Sequence, residues 1–140
     1  MNKSCKLCWA VSLLLVVALG VGGYKFMVVG NVKAYADGRS SVLLLPNERN
    51  KVLGEMRGLL EGVQAITAAA VAGDMETVAQ TASSLGMAAA EAESPAMIGK
   101  LPLEFKKLGF ATHQAFDDLA DFASSGAEPM EVLGVLSDVM

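Results

Sequence analysis

Between Cys8 and Tyr24 the chain carries no charge, running WAVSLLLVVALGVGGY from Trp9 onward, and after Lys25 the apolar run resumes from Phe26 to Val29. Residues 8–29 span about 22 positions, enough for a helix to cross the ~30 Å hydrocarbon layer of a bilayer. Lys25 is then expected near the far interface, where it can snorkel, with Trp9 and Tyr24 as interfacial aromatics. The amino terminus, Lys3 and Lys6 precede the span without an acid, although Lys25, Lys33 and Arg39 follow it. By the positive-inside tendency, residues 1–7 are expected in the cytoplasm and residues 31–140 across the membrane. The competing reading is a cleaved signal peptide, since Ala34-Tyr35-Ala36 has the small-x-small form of a cleavage site. That site lies about a dozen residues past the apolar core, which is long for such a region. Ala18 and Gly22 form a small-xxx-small pair able to pack two anchors together.

The remainder is long enough for one core. An apolar share of 53% is inflated by the N-terminal segment and by alanines, and aromatics are only 6%. Val and Ile rarely alternate with polar residues, so helices are favoured over sheet, and none of the domain calls for strands. The formal charge of −4 comes with no basic run beyond the first turn, which argues against a nucleic-acid partner. Cys5 and Cys8 both precede the apolar segment and can form no disulfide within the domain. They are too few for a zinc site, and Trp9 stands where covalent haem attachment needs a histidine, which leaves two membrane-proximal thiols or an acylation or redox role.

Residues 30–46 read as a linker, with turn formers around Asp37-Gly38 and an apolar run from Val42 to Leu45 that is expected to pack beneath the domain. Pro46 suits the first turn of a helix, and Val52, Leu53, Met56, Leu59, Leu60, Val63, Ile66 and Ala70 then recur at helical spacing up to Gly73. Asp74 can cap a second helix carrying Met75, Val78, Ala82, Leu85 and Ala89, which Ser94-Pro95 closes. Pro102 opens a third with Phe105, Leu108, Thr112, Ala115, Leu119 and Phe122, and Pro129 a fourth with Val132, Leu133, Leu136, Val139 and Met140. The expected fold is all-α: a transmembrane helix (8–29), a linker (30–46) and an up-down-up-down four-helix bundle over 47–140, its helices near 47–72, 75–93, 102–124 and 129–140. The first and third helices would be about 35–40 Å long and the fourth only about 18 Å. The lower halves of three apolar faces are thus expected to need a cover: a partner, a second copy or further residues.

The stretches DGRSSVLLLPNERNKVLGEMRGLLEGVQAI (37–66), AGDMETVAQ (72–80) and KLPLEFKKLGFATHQAFDDLA (100–120) resemble the cytochrome c′-like family, in particular its members with one N-terminal membrane helix. The resemblance covers nearly the whole chain and implies a periplasm-facing, inner-membrane-anchored haem protein, not an enzyme, serving electron transfer or small-gas binding. A redox partner or a homodimer would be its company. The family attaches haem through Cys-x-x-Cys-His near the end of helix four. No such motif follows residue 129, and the sequence ends about where it would be expected to begin, so covalent attachment has no residues here. In six-coordinate relatives a Met on helix one is the distal ligand, which makes Met56 the candidate for that role; its alternative is core filler between Val52 and Leu60. The resemblance turns Met56, Leu60, Phe105 and Leu136 toward haem.

His113 is the only histidine and stands within about one or two turns of the Met56 level, so a non-covalent haem held by the two is a further alternative. Otherwise it reads as a boundary histidine paired with Asp117 at i+4. Asp117, Asp118 and Asp121 read as a solvated face, and Glu55, Glu61, Glu91 and Glu93 as surface charges. No nucleophile with a nearby base, no glycine-rich phosphate loop and no paired-carboxylate signature is present, so no catalytic residue is assigned.

Overall fold

A computed structural model describes residues 3–140, with side chains from residue 6. The Cys5 side chain and residues 1 and 2 of the predicted cytoplasmic segment lie outside the described residues; Cys8 is an exposed free thiol. The chain forms two compact units. One comprises the residues up to Leu43 with Gly99–Leu103, the other Leu44–Ile98 with Glu104–Met140.

In the first unit, helix α1 (Lys3–Tyr24) continues into a wider π-helical turn at Lys25–Val29. The stretch Lys6–Val29 is long and apolar enough to cross a membrane, and its apolar window holds no buried residue. Gly30 ends the turn at φ +70°, against the Lys100–Pro102 backbone. A Cβ there would lie 2.6 Å from the Lys100 carbonyl oxygen, so both the dihedral and the space require glycine. The next residue, Asn31, donates its N–H to that same oxygen at 2.7 Å.

The predicted linker contains a hairpin, contrary to the expectation of no sheet. Strands β1 (Val32–Ala34) and β2 (Ser40–Val42) pair antiparallel, with Val32 opposite Val42 and Ala34 opposite Ser40. Three-residue strands are too short to announce themselves by alternation; the turn is what organises them. Asp37 accepts from the Arg39 N–H at 3.1 Å and from its guanidinium at 2.8 Å. The Arg39 hydrogen bond holds the Asp37 carboxyl below the usual range. Leu43 and Leu45, expected to be covered, are exposed.

The second unit is helical throughout. Helix α2 (Pro46–Ala72) starts with proline at its first position, and Glu48 accepts the Leu45 N–H at 2.8 Å, satisfying one orphan donor of that end. It stops at left-handed Gly73, whose N–H and that of Asp74 return to the last turn. Asp74 then caps α3 (Met75–Ser84), accepting the Thr77 N–H at 3.0 Å and its hydroxyl at 2.6 Å. Those bonds, the hydroxyl's first, lower the Asp74 pKa.

The predicted second helix is not continuous. It breaks after Leu85 and resumes as α4 (Met87–Glu91), and the Ser94-Pro95 turn is itself a short helix, α5 (Pro95–Ile98). Helices α6 (Leu103–Ser124) and α7 (Pro129–Val139) complete the unit.

The core is drawn from α2, α3, α6 and α7. Ile66, Val78, Leu119 and Val132 are fully buried, joined by Ala69, Ala70, Ala82, Phe116, Ala120, Ala123 and Leu136. The members from α2 and α6 occupy the C-terminal halves of those helices. Small side chains on facing stripes let the helices approach closely, which replaces bulk by contact density. Toward the N-terminal halves of the same helices burial falls away, and Met56, Leu60 and Leu108 are 45%, 70% and 68% exposed.

Candidate functional site

The uncovered halves of α2 and α6 enclose, with the end of α7, an apolar cavity of about 400 Å³. Met56, Leu59, Leu60 and Val63 line it from α2; Phe105, Leu108, Gly109, Thr112, His113 and Phe116 from α6; Val139 and Met140 from the end of the chain. Its volume falls in the range of small-molecule and cofactor sites, which are mostly apolar with a few polar groups. The Thr112 hydroxyl is spent within its own helix, donating to the Leu108 carbonyl at 2.9 Å. The donors left among the lining side chains are therefore the thioethers of Met56 and Met140 and the imidazole of His113.

Of the residues the sequence turned toward a cofactor, Met56, Leu60 and Phe105 line this cavity, and so does His113. Leu136 does not. It is 2% exposed in the core, because α7 directs it with Val132 into the packed end, while Val139, one turn on, reaches the cavity.

His113 is not paired with Asp117. The two side chains, one turn apart on α6, instead hold the two ends of the break between α3 and α4. The His113 Nδ1 lies 2.6 Å from the Leu85 carbonyl oxygen. Asp117 Oδ2 accepts the Met87 N–H at 2.9 Å. An interrupted helix leaves carbonyls without partners on one side and N–H groups on the other, and here α6 supplies one of each. Gly86 makes the arrangement sterically feasible, since a Cβ at that position would fall 1.7 Å from Asp117 Oδ1. The glycine was the one local signal of the break; the partners are 28 and 30 residues away. A carbonyl oxygen only accepts, so Nδ1 carries the proton and the neutral ring has its lone pair at Nε2.

Glu93 is far from a free surface charge. Its side chain is 10% exposed and pairs with Lys51, which also lies 3.9 Å from Glu55. Burial raises the Glu93 pKa, but hydrogen bonds with Lys51 and Glu55 outweigh that and hold it below its ordinary 4.5. Glu55 is raised above 4.5, by burial first and then by its hydrogen bond with Glu93. Glu93 Oε2 is buried with no hydrogen-bond partner among the described residues. The contribution of Glu55 to stability is present at acid pH and lost as pH rises through its raised value. That of Glu93 is present above 4.5 and lost as pH falls through its lowered value. The E55Q variant offers an amide N–H to Glu93 at every pH. Its midpoint of thermal unfolding at pH 7 is expected slightly above wild type, with the difference shrinking as pH falls through the raised Glu55 value. A lower midpoint at pH 7 contradicts the unfavourable approach of the two carboxylates.

Among the described residues no group of three or more His, Cys, Asp or Glu side chains is placed to hold a metal ion. Asp118, from the acidic face of α6, accepts from Gln114 at 2.9 Å. Fold and cavity together define an all-α protein with an N-terminal helix fit to span a membrane and an apolar pocket carrying soft donors. Comparison with protein-family models, with curated proteins and with solved structures yields no match.

Proposed function

We propose that this chain is a membrane-anchored, cytochrome c′-like haem protein serving electron transfer or small-gas binding, with residues 47–140 forming the wall of its haem pocket. In this reading α2, α3, α6 and α7 form an up-down-up-down four-helix bundle in the periplasm. The N-terminal helix crosses the inner membrane with its amino terminus in the cytoplasm. The 140 residues contain no Cys-x-x-Cys-His, so what these residues themselves contribute to holding haem is burial and ligation.

One observation carries the proposal: the apolar cavity between the exposed ends of α2 and α6, with a thioether and an imidazole on its wall. The donor set fits haem iron, which accepts methionine sulfur and histidine nitrogen as axial ligands. Met56 would provide the sulfur, while Leu60, Phe105 and Leu108 would cover the macrocycle and keep water out. When bound, haem supplies the one-electron or gas-binding chemistry; the chain sets ligation, dielectric and access.

The test is a hemin titration of the full chain in detergent micelles, followed at the Soret band. A saturable one-to-one complex with Kd of about 1 µM or tighter is expected. A titration indistinguishable from hemin in empty micelles overturns the reading. A second reading is favoured by the 70% and 68% exposure of Leu60 and Leu108. It is a haem-free tethered bundle whose apolar strip serves protein association. Absent Soret binding together with a stable dimer in light scattering would select it.

A further inference from the structure

We propose that His113 would be the nitrogen ligand of the iron, acting through Nε2, an assignment that rests on the haem reading above. Among the side chains lining the cavity, the His113 imidazole is the only one that contains nitrogen. Nδ1 is committed to the Leu85 carbonyl at 2.6 Å, which fixes both the tautomer and the ring plane. Ligating histidines are typically held this way, with the second ring nitrogen donating to a carbonyl or carboxylate so that the free nitrogen is oriented and more basic. Nε2 makes no hydrogen bond among the described residues.

The break between α3 and α4 gains a purpose from this. Within an unbroken helix the Leu85 carbonyl would take the N–H four residues on. In the interrupted helix that backbone donor is absent among the described residues, and Ala89 turns instead to Gly86 at 3.1 Å. The freed oxygen is what orients His113. Asp117 keeps the break open from its other side without lining the cavity. His113 is therefore a ligand presented by a tertiary device, and Asp117 a positioning residue for the backbone that presents it.

A purely structural His113 would make the same Leu85 bond, so the test separates the two roles. The full chain in micelles is loaded with hemin as wild type, His113→Gln, Met56→Ala and Asp117→Asn, and each is read by absorption and electron paramagnetic resonance. Gln retains an amide N–H for the Leu85 carbonyl, and circular dichroism is expected to show an unchanged helix content. The wild type is expected to be six-coordinate and low-spin. H113Q should lose that signature and bind hemin at least about tenfold more weakly, with the low-spin spectrum restored by added imidazole. M56A should lose the sulfur-to-iron charge-transfer band and keep the nitrogen ligand. D117N, which disturbs the helix break that frees the Leu85 carbonyl to orient His113, should shift part of the low-spin signal to high spin, with added imidazole restoring it. Wild-type spectra from folded H113Q overturn the ligand assignment while leaving the haem reading intact. Failure of the wild type to bind hemin overturns both.

Discussion

Leu119→Ala is expected to be among the most damaging single substitutions in the helical unit, lowering the unfolding free energy by about 2–5 kcal/mol. Leu119 has no exposed surface and sits in the cluster formed by Ile66 from α2, Val78 from α3 and Val132 from α7. Deleting its branched end removes contacts with several helices at once. The neighbours available to fill the space are largely alanines, at 69, 70, 82, 120 and 123, which have no side chain to swing inward. Collapse is therefore limited, and the cost belongs at the upper part of the range. For a unit of this size the midpoint should fall by roughly 10 °C or more. Leu108→Ala, made on the same helix at a residue 68% exposed, is expected to change stability by no more than about 0.5 kcal/mol. Thermal or urea unfolding of the two variants measures the contrast. Equal effects would mean that the core does not lie at the C-terminal ends of α2 and α6.

That contrast also marks what a one-dimensional reading can and cannot see. Spacings of three and four place Leu108 and Leu119 on the same apolar stripe of α6, and Met56 and Ile66 on the same stripe of α2. Periodicity reports which face turns inward but not how much of that face finds a partner. Leu136 shows the same limit on α7, where it and Met140 share a stripe yet are 2% and 78% exposed. Local chemistry was legible: Pro46 and Pro129 at helix starts, Gly73 at a helix end, Asp74 as a cap, and the charge-free run that becomes α1. The break at Leu85–Met87 was not, because its energetics reside in His113 and Asp117, and a stripe running Val78, Ala82, Leu85, Ala89 is what a continuous helix would also write. The hairpin escaped for a related reason, since its order comes from the Asp37 and Arg39 turn more than from its three-residue strands. Glu93 looked like a surface acid because its burial depends on how α2 meets the chain near α4, whereas Glu55 is the exposed charge its sequence context implied. The candidate pocket was thus half legible, in the residue types of Met56, Leu60, Phe105 and His113, and became a site only through tertiary placement.

The pair Leu60→Gln and Leu108→Gln, combined in one chain, is expected to separate binding from folding more sharply than any core change. Both leucines line the cavity and are largely exposed in the free protein, so replacing them forfeits little native packing. The unfolding midpoint should move by no more than a few degrees. A bound haem would cover both side chains, and losing two such apolar contacts should remove about 3 kcal/mol of binding free energy, roughly a hundredfold in Kd. Glutamine is near leucine in reach, which leaves access to the cavity open, and its neutrality adds no long-range repulsion of the haem propionates. Hemin titration of the double variant beside wild type gives the affinity ratio, and a thermal scan of each gives the stability difference. An unchanged Kd would place any haem away from this cavity. A midpoint that drops by as much as in Leu119→Ala would show instead that the leucines are already covered in the resting protein, by another copy of the chain or by the chain itself. The strip would then be an interface and not an open pocket.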